Sequence, residues 1–272
     1  AAFSLLYLGH NLGYAVGPLI AGFLFNRHMP IMFLGDAGTT IMALALVAFL
    51  VSESMPDRSS MEEAGRRNPH EKPEAGRLLG VLFGRPFLLV FVLAVTLLNF
   101  VYAQFTFSVP LQMRELFGEA GPRLFGVINA VNAAVVVGFT APLVLATRRF
   151  RPVANQTAAG VLFAFGFGMI FFAGSFPLFL LAAFVWTIGE ILAVTNANVY
   201  IVNHTPSSHR GRFNSIIPLI MGTGFAVSPA LVGMYIEVAS LRSVWVLAFA
   251  VAMLGSMVLL VLGEVERRKR SG

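Results

Sequence analysis

The chain has 272 residues, of which 57% are hydrophobic and only 12% are charged. A water-soluble domain of this size cannot bury so much apolar surface and still present a polar face to water, so the composition excludes that class. The formal charge of +6 then indicates basic loops on one side of a membrane rather than a nucleic-acid partner. The sequence contains no cysteine, which excludes disulfides, thiolate catalysis and cysteine-based metal sites.

Eight apolar segments along the chain are each long enough to cross the ~30 Å hydrocarbon core of a bilayer. Lipid accepts only helices or closed barrels, and these runs lack the alternating pattern of barrel strands. We therefore predict an all-α membrane protein with eight transmembrane helices. The segments are residues 2–25, 30–52, 86–113, 123–147, 152–174, 176–201, 211–236 and 241–263.

The connection between the second and third segments differs from the rest of the chain. Residues 53–85 are polar, charged and rich in helix breakers, which predicts an exposed linker. Residues 77–86 are predicted to form a short helix at the membrane surface. The eight segments place fifteen Lys and Arg residues on one side of the membrane and four on the other. Because basic residues collect in cytoplasmic loops, the linker and both ends of the chain are predicted to be cytoplasmic.

A ten-residue pattern occurs twice, 211 residues apart. Residues 13–22 read GYAVGPLIAG and residues 224–233 read GFAVSPALVG, with five identical positions. The same shift places the segment 30–52 on the segment 241–263, so a two-helix unit repeats with one orientation. Parallel repeats of this kind are typical of transporters built from two similar halves. If each half has six helices, the sequence starts at the fifth, and we expect a fragment that lacks the first four.

The first copy of the pattern resembles the GxxxGPxxGG motif in the fifth helix of the major facilitator superfamily, particularly its drug–proton antiporters. The matching residues are Gly13, Gly17, Pro18 and Gly22. Other stretches resemble the second half of such permeases, among them "FGVINAVNAAVVV" in the eighth helix and "WTIGEIL" in the tenth. The loop "ATRRFRP" departs from the family pattern, because it keeps the basic cluster of the loop motif and lacks its Asp and Gly.

The resemblance implies helices 5–12 of a fold with two halves of six helices each. Residues 1–52 would be the last two helices of the N-terminal half, and residues 86–263 would be the C-terminal half. The linker 53–85 would join the halves, and residues 264–272 would be a basic cytoplasmic tail.

The function that the resemblance implies is secondary active transport by alternating access, with proton-coupled efflux of small organic molecules as our expectation. A sugar or metabolite symporter or uniporter of the same fold is one alternative. A truncated membrane protein that is inactive in transport is an alternative of another class.

Two readings of the repeated pattern stay open. Small residues at every fourth position, such as Gly13 and Gly17, let two helix backbones approach closely, and a proline such as Pro18 bends its helix. The corresponding residues of the second copy are Gly224, Ser228, Pro229 and Gly233. Tight helix packing is the first reading. A seal between the halves that bends during transport is the second, and the resemblance implies it.

Glu190 is the charged residue predicted to lie deepest in the membrane. It is roughly twelve residues, or ~18 Å, from the inner end of its segment, near the bilayer midplane. An ionised carboxylate at that depth costs at least several kcal/mol unless it is paired, hydrated or protonated. Glu190 is therefore our candidate for proton coupling. The alternative is a protonated carboxyl group that is hydrogen-bonded to a neighbouring helix.

Polar side chains on shared helix faces are candidates for lining a substrate cavity. Amides within a membrane must face other helices or a water-filled space, so interhelical hydrogen bonding is the alternative for each of them. The candidates are Asn99, Tyr102 and Thr106 in the third segment, Asn129 and Asn132 in the fourth, and Trp186 in the sixth.

The sequence carries no phosphate-binding GxxxxGK[ST] loop and no GxSxG nucleophile motif, and "HEKPE" at residues 70–74 lacks the second His of a zinc motif. We expect no enzymatic activity, no cofactor, no metal and no nucleic-acid partner. The expected partners are a small-molecule substrate, protons and the lipid bilayer. We also expect a monomer at full length that spans the bacterial inner membrane several times.

Overall fold

The computed structural model describes Gly9, Gly13 and residues 29–50, 78–206 and 210–271. Within these residues the backbone forms nine α-helices joined by short turns, several of them 3-10 helices. The helices are α1 (Met29–Leu50), α2 (Leu78–Phe83), α3 (Pro86–Tyr102), α4 (Ser108–Phe117), α5 (Gly121–Thr147), α6 (Pro152–Gly168), α7 (Phe176–Asn203), α8 (Arg210–Val238) and α9 (Val244–Ser271).

Six stretches of the described residues are long and apolar enough to cross a membrane. One of them, Pro86–Thr147, has 62 residues and contains two of the predicted segments. Gly118 lies between these two segments with a φ of 54°, a conformation that favours glycine, and α4 and α5 contact each other on either side of it. The first predicted segment, 2–25, lies outside the described residues. The all-helical fold is therefore confirmed, and the count of eight spans stays a prediction.

The third predicted segment, 86–113, is not one continuous helix. Helix α3 ends at Tyr102, a 3-10 turn follows over Ala103–Phe105, and α4 begins at Ser108. Pro110 accounts for the break, because it has no N–H to offer the Thr106 carbonyl and its ring crowds that carbonyl. The break changes the faces on which the polar residues of this segment lie.

Helices α3 to α9 pack into one bundle. Helix α6 contacts α7 and α9, α3 contacts α8 and α9, and α5 contacts α7. Trp186 lies at the centre of the core, with its ring stacked on Phe167 at 4.9 Å between centroids. Gly166 allows this arrangement, because a Cβ there would lie 2.8 Å from the Trp186 backbone nitrogen. By contrast, the Phe33–Leu50 stretch of α1 has no buried residue.

The first and last helices of this part of the chain, α2 and α9, bear on two further predictions. Helix α2 falls within residues 77–86, where a short helix is predicted, and its location at the membrane surface stays a prediction. Helix α9 does not end near residue 263 but continues to Ser271, through most of the predicted tail. This continuation carries Glu266, which is only 6% exposed, into the packed end of the bundle.

Candidate functional site

Glu190 lies near the middle of the 28-residue helix α7 and is 7% exposed. The Asn132 amide from α5 donates one hydrogen bond to Glu190 Oε2 at 2.8 Å and a second to Thr187 Oγ1 at 2.9 Å. The Thr187 hydroxyl in turn donates to the Ala183 carbonyl at 2.7 Å. We call Glu190, Asn132 and Thr187 the carboxyl site. Both amide hydrogens of Asn132 are used in it, and they join α5 to α7.

The geometry of the carboxyl site is compatible with two protonation states of Glu190. Oε2 accepts a hydrogen bond from an amide, and it can do so as part of a carboxylate or as the carbonyl oxygen of a protonated carboxyl group. The Asn132 bond is therefore kept when a proton binds at Oε1.

The three cavity candidates of the third segment do not come together. Asn99 is half-buried and donates to the Met221 carbonyl of α8 at 2.9 Å. The Tyr102 ring packs near Phe163 of α6, with 5.6 Å between centroids. Thr106 follows the break in the helix, is exposed, and donates to a carbonyl in its own turn. Asn99 thus serves a helix contact in this conformation, and a cavity role for all three residues stays a prediction.

The other candidates divide between surface and core. Asn132 is 8% exposed and belongs to the carboxyl site, whereas Asn129, one turn away, is exposed and donates to the Phe125 carbonyl of its own helix. Trp186, one turn from Glu190, is fully buried, and its indole N–H has no hydrogen-bond partner among the described residues. Of these three, Asn129 is the one whose side chain is accessible from outside the bundle.

The second copy of the repeated pattern lies where α8 crosses α3. A Cβ at Gly224 would overlap the Thr96 carbonyl and would lie 3.1 Å from the Phe100 backbone nitrogen. Ser228, one turn further on, donates to the Phe100 carbonyl at 2.8 Å and accepts a bond from Gln104 at 2.5 Å. The backbones of the two helices can approach this closely because these positions carry small side chains. A gating role for the crossing stays a prediction.

The remaining residues of the pattern are less informative. Pro229 lies inside α8 and is half-buried, and a Cβ at Gly233 would make an ordinary contact of 3.8 Å with the Phe107 ring. In the first copy Gly13 is described and exposed. Outside the described residues lie Gly17, Pro18 and Gly22.

A second group of buried polar residues, which the sequence did not predict, surrounds Glu266. Arg151 Nη2 lies 2.6 Å from Glu266 Oε2, and Arg151 Nη1 donates to the Gly263 carbonyl at 2.8 Å. The Tyr200 hydroxyl donates to Glu266 Oε1, and His204 Nε2 lies 3.5 Å from the same oxygen. We call Glu266, Arg151, Tyr200 and His204 the terminal network. One carboxylate thus holds the start of α6 and the ends of α7 and α9 together.

His204 extends the terminal network to the start of α3. Its Nδ1 is 2.8 Å from the Tyr200 carbonyl, so this nitrogen carries a hydrogen and donates it. Arg85 donates to the His204 carbonyl at 2.8 Å and so ties the start of α3 to the end of α7. The Tyr200 ring is stacked between Phe91 and His204, at centroid distances of 3.8 and 3.9 Å.

Helices of this length and hydrophobicity, packed as a bundle around a buried carboxyl group, define a multi-pass helical membrane protein. The family model described as Major Facilitator Superfamily matches residues 1–206 and 156–272. The chain belongs to this superfamily, a family of membrane transporters for small molecules. The resemblance noted in the sequence is thereby confirmed at the level of the superfamily. The drug–proton antiporter subclass stays a prediction.

Two known proteins are similar to the chain. An uncharacterized MFS-type transporter of Bacillus subtilis (strain 168), YqjV, is 24% identical over 203 residues, which is 73% of this chain and 47% of that protein. The chain thus spans about half the length of this curated relative. The crystal structure of the human organic anion transporter MFSD10 (TETRAN) covers 94% of this chain with a TM-score of 0.71 and 16% identity. The chain covers 62% of that protein, and the likeness shows the fold.

Proposed function

We propose that the protein is a secondary active transporter that works by alternating access and exports small organic molecules in exchange for protons. Membership of the superfamily supports transport of a small molecule across a membrane. In this proposal residues 1–52 belong to the N-terminal half and residues 86–263 form the C-terminal half. The linker and the basic C-terminal end face the cytoplasm of a bacterial cell, and the full-length protein acts as a monomer.

The observation that carries the proton-coupling part of the proposal is the carboxyl site. Glu190 is 7% exposed and lies midway along an apolar helix, where an ionised carboxylate is expensive. Asn132 donates one hydrogen bond to Glu190 Oε2, and this oxygen can accept the bond in either protonation state of the carboxyl group. Intramembrane carboxyl groups of this kind mark proton pathways in pumps and transporters. Proton binding at Glu190 removes a buried charge, and this is the step that we couple to transport.

The test combines a flux measurement with a spectroscopic one on the full-length protein. In liposomes with an imposed pH gradient, Glu190→Gln is expected to abolish gradient-driven transport and to keep substrate exchange without a gradient. Glutamine keeps the size of the side chain and an oxygen that accepts the Asn132 bond. Infrared difference spectroscopy across a pH titration gives a readout that needs no substrate, because the protonated carboxyl band of Glu190 should be missing in the variant.

The control variant is Glu115→Gln, which changes an exposed carboxylate near the end of α4. It should keep wild-type gradient dependence. If Glu190→Gln responds to the gradient as the wild type does, Glu190 is not the coupling residue. If neither the wild type nor Glu190→Gln responds to the gradient while both exchange substrate, the protein is a uniporter, which is one of the alternatives that the sequence left open.

A further inference from the structure

A long groove runs along the outer surface of the bundle between α3 and α9. Its volume is about 460 Å³, which lies within the range of small-ligand sites. It is lined by Pro86, Phe87 and Val90 of α3 and by six residues of α9 between Leu254 and Val265, and every lining side chain is apolar. The groove therefore offers no polar group to a soluble ligand. It suits a hydrocarbon chain.

The dimensions of the groove match one leaflet of a bilayer. Leu254 and Val265 are eleven positions apart on α9, which corresponds to ~16 Å at the rise of an α-helix. The hydrocarbon core of a bilayer is ~30 Å thick, so the groove reaches about halfway across it. A single lipid acyl chain that enters from one side would fill this length.

Positive charge is concentrated at one end of the groove. Lys269 lies one helical turn beyond Val265, and its Nζ is 4.9 Å from the centre of the Phe87 ring, which itself lines the groove. This cation–π contact holds the exposed ammonium group at the groove end. Arg268 is 79% exposed beside it.

The carboxylates near this end leave the charge positive. Glu264 contacts Arg267 at 2.7 Å and Arg268 at 3.5 Å, so it offsets one of the three basic residues that precede residue 270. Glu266 is buried in the terminal network, where Arg151 pairs with it and offsets its charge. An apolar groove that ends in net positive charge is complementary to a lipid with an anionic headgroup.

We propose that this groove is a binding site for one anionic phospholipid. An acyl chain lies between α3 and α9, and the phosphate contacts Lys269 and Arg268. Neutral lipids with the same acyl chains fit the groove but lack the contact with these two cations. The site is separate from the carboxyl site and does not depend on the transport mechanism.

Native mass spectrometry of the full-length protein tests the proposal. The purified protein is mixed with equal amounts of palmitoyl-oleoyl phosphatidylglycerol and palmitoyl-oleoyl phosphatidylcholine, and the retained lipid is counted. The wild type is expected to retain one phosphatidylglycerol in preference to phosphatidylcholine. The double variant Arg268→Gln/Lys269→Gln should lower this preference by about thirtyfold, since each basic residue near a lipid headgroup contributes slightly more than about fivefold in affinity.

A matched pair of tryptophan substitutions tests the groove itself. Met257 lines the groove and is 67% exposed, whereas Met234 on α8 is 65% exposed and lies outside it. Met257→Trp fills the groove and should abolish retention of the lipid. Met234→Trp should leave it unchanged, and thermal unfolding of both variants shows that each is folded.

Three results would overturn the proposal. Equal retention of the two lipids by the wild type means that the basic end does not select a headgroup. An unchanged preference in the double variant places the headgroup contact elsewhere. If Met257→Trp does not change lipid retention, the acyl chain does not lie in the groove. The same conclusion follows if the protein is a dimer that Met257→Trp dissociates, because the groove then holds another copy of the protein.

Discussion

Removal of the Glu266 carboxylate should strongly destabilise the C-terminal bundle. Glu266→Ala takes away the carboxylate that accepts from Arg151 and Tyr200 and that lies 3.5 Å from His204 Nε2. Breaking a buried ion pair from one side costs roughly 3–5 kcal/mol, and a buried hydroxyl that loses its acceptor costs roughly 1–3 kcal/mol. The Arg151 side chain is 37% exposed and keeps its bond to the Gly263 carbonyl, which reduces the first contribution. We expect a loss of about 3 kcal/mol in the free energy of unfolding.

The chain itself provides the probe for this measurement. Its two tryptophans, Trp186 and Trp245, are both fully buried in the bundle. Their fluorescence therefore reports the unfolding of α3 to α9 during a titration with sodium dodecyl sulfate. The midpoint and the slope of the transition in wild type and variant give the difference in free energy.

Glu264→Ala is the matched control. Glu264 lies two residues away on the same helix, and its ion pairs with Arg267 and Arg268 are at the surface, where such pairs contribute little. This variant should unfold like the wild type. If Glu266→Ala is no less stable than Glu264→Ala, the terminal network does not stabilise the bundle, and our account of the buried carboxylate is wrong.

Three further substitutions test other contacts. Gly224→Ala should destabilise the bundle by about 1–3 kcal/mol in the same titration, because the methyl group overlaps the α3 backbone. Gly222→Ala, with open space around it, should not. Asn132→Ala should reduce gradient-driven transport about tenfold through the loss of one hydrogen bond to a charged group, and Asn129→Ala should have no such effect. Gln104→Leu should lower the unfolding free energy by roughly 1–3 kcal/mol, since the buried Ser108 hydroxyl loses its acceptor and Ser228 loses one of its two hydrogen bonds.

Long apolar runs predicted the main helices closely. The segments 123–147 and 176–201 correspond to α5 and α7, whose observed ends differ by at most two residues. Hydrophobic length alone is sufficient there, because lipid forces a spanning segment to satisfy its backbone internally. The segment 86–113 was wrong as a single helix. Its composition is mainly apolar on both sides of the break, so hydrophobic length alone does not reveal the effect of Pro110.

The carboxyl site was only half predictable. The depth of Glu190 follows from its position along an apolar segment, and Asn132 was among the polar candidates. The pairing of Glu190 with Asn132 depends on how α5 and α7 are aligned. A single sequence does not contain that information. Thr187, which was missed, lies three residues before Glu190 and so on the same helix face. That spacing was the available signal.

The terminal network was not predicted because the last predicted membrane segment ends at residue 263 and so does not include Glu266. A charged residue usually ends a membrane segment, and this expectation fails where a buried partner neutralises the charge. Arg151 is that partner, and it lies 115 residues away in the sequence. The cavity prediction for Asn99, Tyr102 and Thr106 also depended on a feature that the sequence reading did not include, because these residues share a face only if the helix is unbroken.

The position of Glu266 in the sequence has a consequence for biosynthesis. Arg151, Tyr200 and His204 are all synthesised before it, and Tyr200 precedes it by 66 residues. Chains grow from the N-terminus, so these groups pack without their acceptor until the last helix is translated. The contacts of the terminal network can therefore form only after Glu266 has been translated. A chain that stops just before residue 266 leaves these polar groups without their carboxylate, which gives cellular quality control a means to recognise incomplete molecules.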